Sequence, residues 1–201
     1  MYGIEKISDI LKIGLTIGLA NHHQIYRLPC FGEYLEEQVH HAFAQSGTGT
    51  DWEPDRSHRI SVDMTLDSGE TISIKSGDYN MTQGKLKFSG SRLGQHSSIE
   101  DMLRAIESNS ADYYVSIARI KKDWTPVPNA GDFKIYYLFV FESQKLGYSE
   151  HSWTKQGTRN GNFNYSMTGH GVDAQIRASM SHQLWTVASQ EITNTPAKIV
   201  V

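Results

Sequence analysis

One stretch constrains the fold of this chain more than any other: Ile60-Ser61-Val62-Asp63-Met64-Thr65-Leu66, then Asp67-Ser68-Gly69, then Glu70-Thr71-Ile72-Ser73-Ile74-Lys75. A period of two belongs to a strand. It puts Ile60, Val62, Met64 and Leu66 on one face with Ile72 and Ile74, and Ser61, Asp63, Thr65, Thr71, Ser73 and Lys75 on the other. A three-residue turn with Gly69 available for positive φ closes an antiparallel hairpin in which Leu66 faces Glu70 and Asp63 faces Ser73. Lys75 is then diagonal to Asp63, and diagonal neighbours lie roughly 7–8 Å apart. A carboxylate, a hydroxyl and an ammonium thus surround one small volume above the sheet.

That arrangement suits phosphodiester hydrolysis with a divalent metal. The Asp63 carboxylate offers hard oxygen to Mg²⁺, which polarises a phosphate and lowers the pKa of bound water. Lys75 would steer or help deprotonate that water. The plain alternative is a solvated ion pair on a polar sheet face, worth about 0–1 kcal/mol.

Asp63, the glycine turn and Ile72-Ser73-Ile74-Lys75 together resemble the PD-(D/E)xK nuclease motif of many type II restriction endonucleases and several repair nucleases. Ser73 stands where that motif usually has an acid, as in the SxK variant of some restriction enzymes. The resemblance implies Asp63 as metal ligand, the Ile74 carbonyl as a further ligand, Ser73 as a hydroxyl in the ligand or water shell, and Lys75 as the group that positions or activates water. Serine brings no charge to a metal, so a second carboxylate must come from elsewhere. Gly32-Glu33-Tyr34-Leu35-Glu36-Glu37-Gln38-Val39 resembles the first helix of these nucleases and implies Glu36, with Glu37 in reserve. Pro54-Asp55 precedes the strand and reads as a decoy, and Glu70 has the wrong parity to share the Lys75 face.

Around this hairpin the pattern predicts a helix over residues 4–19, weakened by Gly14 and Gly18 and assigned to packing or dimerisation, and a connector over 21–29. A second helix is expected over 32–45, with Phe31, Leu35, Val39, Ala42 and Phe43 buried and Glu36 at the edge of that stripe. After Lys75 the chain is expected to turn at Ser76-Gly77. A strand over 85–89, a helix capped by Ser97 or Ser98, and apolar strands over 111–120 and 133–141 follow. The order resembles the αβββαβ core of the restriction-endonuclease-like fold over roughly residues 31–120. The expectation is an α/β chain with a mixed central sheet flanked by helices and a β/loop-rich C-terminal extension. It forms one nuclease domain over 1–201, with a catalytic core at about 31–142 and a recognition and sheet-extension region at 143–201.

The chain has 201 residues, enough for one domain with a core of its own, and one cysteine, Cys30, which excludes an internal disulfide framework and fits a reducing cytoplasm. The apolar run 10–20 is broken by Lys12 and two glycines, so neither a secretory signal nor a membrane span is expected. No GxxxxGK, HExxH or paired CxxC occurs, and the nine histidines are scattered, which argues against a zinc enzyme. A net charge of −3 sits awkwardly with DNA binding unless the positive charge is local. Lys85, Lys87 and Arg92 are candidates for phosphate contact, and Asn162 and Arg177 for base contact. The expected activity is that of a Mg²⁺-dependent, site-specific endonuclease on double-stranded DNA, of the type II restriction class. Its expected setting is a cytoplasmic homodimer with a cognate DNA methyltransferase acting on the same site. The alternatives are a structure-selective repair or phage nuclease of the same fold, and a non-catalytic β-rich binding module that uses the ten tyrosines and four tryptophans.

Overall fold

The computed structural model describes residues 2–52, 62–120 and 134–201. Ile60, Ser61, the Pro54-Asp55 pair and Phe133 lie outside the described residues.

Two helices open the chain. α1 (Ile4–Ile25) runs past the expected end at residue 19, and α2 (Glu33–Gln45) follows. The extra turn of α1 holds His22 and His23, read from the sequence as part of a connector. His23 Nε2 lies 2.8 Å from the Tyr136 hydroxyl and His22 Nε2 2.9 Å from the Leu28 carbonyl, so long-range and capping bonds extend the helix. Ile7, Leu11, Leu15 and Leu19 are wholly buried at helical spacing. The glycines of α1 serve its packing: a Cβ on Gly14 would stand 2.4 Å from Ala42 Cβ, and one on Gly18 would meet the Gln38 side chain. Gly14 against Ala42 and Gly18 against Gln38 set the two helices antiparallel and close. Phe31 departs from the expected buried stripe; it is 43% exposed, with the Arg119 guanidinium 4.7 Å from its ring centre.

The remaining elements are β1 (Met64–Thr65), β2 (Thr71–Asn80), β3 (Lys85–Arg92), α3 (Ile99–Ser108), β4 (Tyr113–Ile120), β5 (Ile135–Glu142), β6 (Thr154–Gly157), β7 (Phe163–Gly169), β8 (Val172–Arg177), β9 (Gln183–Ser189), α4 (Gln190–Thr193) and β10 (Ala197–Val200). They build one sheet in the order β10-β5-β4-β2-β3-β9-β8-β7-β6, with β1 also on β2. β2 and β4 are parallel and the other pairs antiparallel, so the sheet is mixed, as expected for an α/β chain. The hairpin register is the predicted one: Met64 faces Ile72, Thr65 faces Thr71, and Gly69 turns at φ 97°. Ser98 caps α3 by accepting the Asp101 N–H at 3.0 Å.

The expected turn at Ser76-Gly77 is absent, because β2 runs through it to Asn80. A Cβ on Gly77 would come within 2.9 Å of both Leu86 Cδ1 and Ser116 Oγ, so this glycine marks a close approach of strands.

Each sheet face has its own core. Ile72, Ile74, Val115, Ile117, Leu138 and Val140 pack against α1 and α2. On the other face Phe88, Tyr114, Phe139 and Phe141 join Met102 and Ile106 of α3 and also Met167, Ala174 and Ile176 of β7 and β8. This second core runs from β5 to β7 without a break, because β4, β2, β3, β9 and β8 each add buried side chains to it.

The helix crossing yields a direct test. Gly14→Val is expected to lower the unfolding free energy in urea by about 1–3 kcal/mol. Gly157→Val, where a Cβ meets nothing within 4 Å, should stay within about 0.5 kcal/mol of the parent chain.

Candidate active site

β4 pairs with β2 along Ile72 to Tyr79, so β1 and β3 must share the opposite edge of β2. β1 holds that edge at Thr71 and Ile72, and β3 holds it at Gly77 to Asn80. A fork opens between them along residues 73–76. A continued β1 would set Val62 against Ile74. Instead the Asp63 carboxylate takes that place, and its Oδ2 accepts the Ile74 N–H. The same oxygen accepts the Ser73 hydroxyl at 3.2 Å and the Lys75 ammonium at 3.1 Å. Asp63 therefore stands just before β1, where the sequence placed it inside the strand, while keeping its expected position opposite Ser73.

Ser73 is fully buried, so its hydroxyl orients Asp63 from behind. Facing Ser73 across the parallel pair is Tyr114, whose phenol is pushed up to about 12 by burial and by the Asp63 charge and stays neutral. The N–H and C=O of a strand residue point to the same edge, so the Ile74 carbonyl faces the fork with its amide.

α2 brings the second carboxylate. Glu36 is half-buried, and its carboxyl is raised above the usual range by burial first and by the Asp63 charge second. Lys75 and a hydrogen bond from the Trp52 indole oppose that shift. Glu36 is thus an electrostatic neighbour of Asp63 and Lys75, which meet Ser73 in the fork. Glu37, the reserve, is 44% exposed and lies 3.6 Å from His41 Nε2 on the same helix.

Sequence reasoning missed Trp52. A lone tryptophan beside a Gly/Thr-rich loop carries no periodic signal, and its role depends on how that loop lies against β1. The Asp51 N–H donates to the Thr65 carbonyl at 3.1 Å, and the Thr65 N–H donates to Asp51 Oδ1 at 2.6 Å. His40 stacks on the indole with ring centres 5.1 Å apart.

The other predicted residues do not join the Asp63 cluster. Lys85 pairs with Asp173 at 3.5 Å, Lys87 stands 5.4 Å from the Trp185 ring, and Arg92 is exposed at the end of β3. Arg177 is exposed on β8, and Asn162 lies in the β6–β7 turn, where its carbonyl accepts the Thr158 N–H. Among the described residues no group of three or more His, Cys, Asp or Glu side chains is placed to hold a metal ion, and no helix is long and apolar enough to cross a membrane. No protein family, curated protein or solved structure matches the chain.

The electrostatics of Glu36 have a measurable sign. Its folded-state pKa lies above the ordinary 4.5, so the unfolded chain loses this proton first as pH rises. The contribution of Glu36 to stability is complete below pH 4.5 and disappears as pH rises through the folded pKa. In metal-free protein, urea titrations should show Glu36→Gln removing that fall; an unchanged pH profile would contradict the assigned environment.

Proposed function

We propose that this chain is a Mg²⁺-dependent endonuclease that hydrolyses phosphodiester bonds at specific sites in double-stranded DNA, of the type II restriction class. The observation that carries the reading is the convergence of Ser73, Ile74 and Lys75 on Asp63 Oδ2 in the fork, with Glu36 alongside. The element order α2, β1, β2, β3, α3, β4 supports the αβββαβ core of the restriction-endonuclease-like fold.

The donor set fits Mg²⁺. Two carboxylates and the Ile74 carbonyl are hard oxygen ligands, and a site with few protein ligands suits an ion that keeps several of its waters. The Glu36 carboxyl is raised by burial first and by the Asp63 charge second, and a divalent cation would offset the second. Bound there, the metal would polarise the scissile phosphate and acidify water. Ser73 and the Ile74 N–H hold Asp63 Oδ2, leaving Oδ1 as the ligand atom. The Trp52 indole holds Glu36 toward it. Lys75, held 3.1 Å from Asp63, presents its ammonium to the attacking water and the phosphate.

The reading includes a homodimer, which matches a palindromic site by two-fold symmetry, a cytoplasmic setting and a methyltransferase that protects the same DNA site. The outer side of the helical layer supplies an interface. Ile13 and Ile17, one turn apart on α1, and Tyr34 on α2 flank the glycine crossing, and Ile25, Tyr26, Leu28 and Phe31 follow at its end; all seven are 43–77% exposed.

Long unmethylated duplex DNA should give discrete fragments with Mg²⁺ and none with excess chelator. Lys75→Ala should lower the cleavage rate by at least about 100-fold while DNA still shifts in a gel. Cutting by this variant at the parent rate would remove Lys75 from the mechanism. Preference for forks, ends or mismatches would favour a repair or phage nuclease, and intact DNA with no mobility shift would favour the binding module. In sedimentation, Ile17→Asp should convert a dimeric parent to monomer; a parent chain that is monomeric at micromolar concentration would refute the dimer.

A further inference from the structure

A second surface lies on the α2 side of the sheet, beyond the point where the helices stop covering it. On β2, Ile72, Ile74, Ser76 and Asp78 alternate onto the face that α1 and α2 pack against. Asp78 pairs with Lys87, and Lys87 with Val187; Ser89 pairs with Trp185, and Trp185 with Gln175; Gln183 pairs with both Arg92 and Arg177. These residues therefore share the side of the sheet against which α2 packs, while Ser73 and Lys75 alternate onto the other side, so fork and surface meet at the open edge of β2. Their chain neighbours Phe88, Leu184, Thr186 and Ile176 point the other way and are buried.

This face differs from the rest of the chain. Lys85, Lys87, Arg92 and Arg177 supply four cations against the carboxylates of Asp78 and Asp173, in a chain whose net charge is −3. Trp185 stands at its centre, with Lys87 5.4 Å and the Arg177 guanidinium 5.9 Å from its ring. Arg177 is held by two bonds, from Nε and Nη2 to Gln175 Oε1, at 3.1 and 2.9 Å. The Trp185 indole N–H is buried and has no hydrogen-bond partner among the described residues. A polar sheet row with excess positive charge, an unpartnered donor and amide side chains is chemistry for a polyanion that also presents hydrogen-bonding edges.

We infer that this face is the floor on which the DNA duplex lies, with Gln175, Arg177, Gln183 and Trp185 as the residues that read it; the inference rests on the endonuclease reading of the fork. Strand spacing supports the fit. β9 and β8 stand two and three places from β2, about 10 and 14 Å at roughly 4.8 Å per strand. A backbone phosphate at the open edge of β2 would thus stand about one groove width, roughly 12 Å, from β9 and β8. Gln and Arg have the geometry for bidentate contact with adenine and guanine. The floor also moves recognition away from Asn162, which lies in the turn between β6 and β7 at the far edge of the sheet.

The test uses the full chain. Gln175 and Arg177 are exposed, so Gln175→Ala and Arg177→Ala fold as the parent does, and a circular dichroism melt checks this. Each is placed in the parent for cleavage of long duplex DNA with Mg²⁺, and in the Lys75→Ala background for mobility shift. The inference expects Arg177→Ala to weaken binding about 10-fold or more, and Gln175→Ala to add fragments at sites the parent leaves uncut. If the parent cuts and both variants keep its affinity and fragment pattern, the floor is overturned and the nuclease reading stands. If the parent binds without cutting and Arg177→Ala loses that binding, the floor stands and the nuclease reading falls. A parent chain that shifts no DNA overturns the floor.

Discussion

A strand ladder that ends one residue pair early is the feature on which the rest of this structure depends. Where Val62 would have met Ile74, the Asp63 side chain accepts the Ile74 N–H and draws in the Ser73 hydroxyl and the Lys75 ammonium. Hydrogen bonds to a charged acceptor are stronger than the neutral ladder bond they replace, which lets the strand break without leaving a buried donor unpaired. β3 joins the same edge of β2 further along, and the gap between the two strands becomes a fork floored by backbone. A regular hairpin with the same residues would close that edge and leave only an ion pair on a flat face.

The helical layer determines what faces the fork. Gly14 and Gly18 let α2 lie closely against α1, and Leu35, Val39, Ala42 and Phe43 seat α2 on the sheet. Glu36 then projects from the sheet-side border of α2 toward Asp63, half-buried, where desolvation and a neighbouring carboxylate both disfavour its charge. Asp51 bonds to Thr65 of β1, and the neighbouring Trp52 indole bonds to Glu36. The site is thus assembled from a helix, a loop and two strands, each held by packing or ladder bonds remote from the chemistry.

The two sides of the sheet carry two kinds of surface. One is filled along its length by α3 and by apolar residues from β5 to β7. On the other side the helices pack over β1, β2, β4, β5 and β10, and the mostly polar rows of β3, β9 and β8 beyond them are half-buried to exposed. The polar recognition surface follows from this unequal covering; it lies on the α2 side of the sheet, while Ser73 and Lys75 alternate onto the other side and meet it at the open edge of β2.

The hairpin, its register and the pairing of Asp63 with Ser73 and Lys75 were legible in the sequence, because a period of two and a glycine turn are local constraints that leave one register with the oily face inward. The bounds of α2 and a cap at Ser97 or Ser98 were legible from helical spacing and local capping chemistry, and the structure selects Ser98. Gly14 and Gly77 look like helix and strand breakers until their neighbours are known; only the tertiary structure shows that Ala42, Leu86 and Ser116 occupy the space a side chain would need. The last turn of α1 depends on Tyr136, the place of Trp52 on Glu36, and the polar floor on β3 pairing with β9 across about a hundred residues of chain. Local pattern determined which side chains share a face. Which faces meet was decided by the burial of apolar surface between segments distant in sequence, and periodicity within one segment carries no record of that.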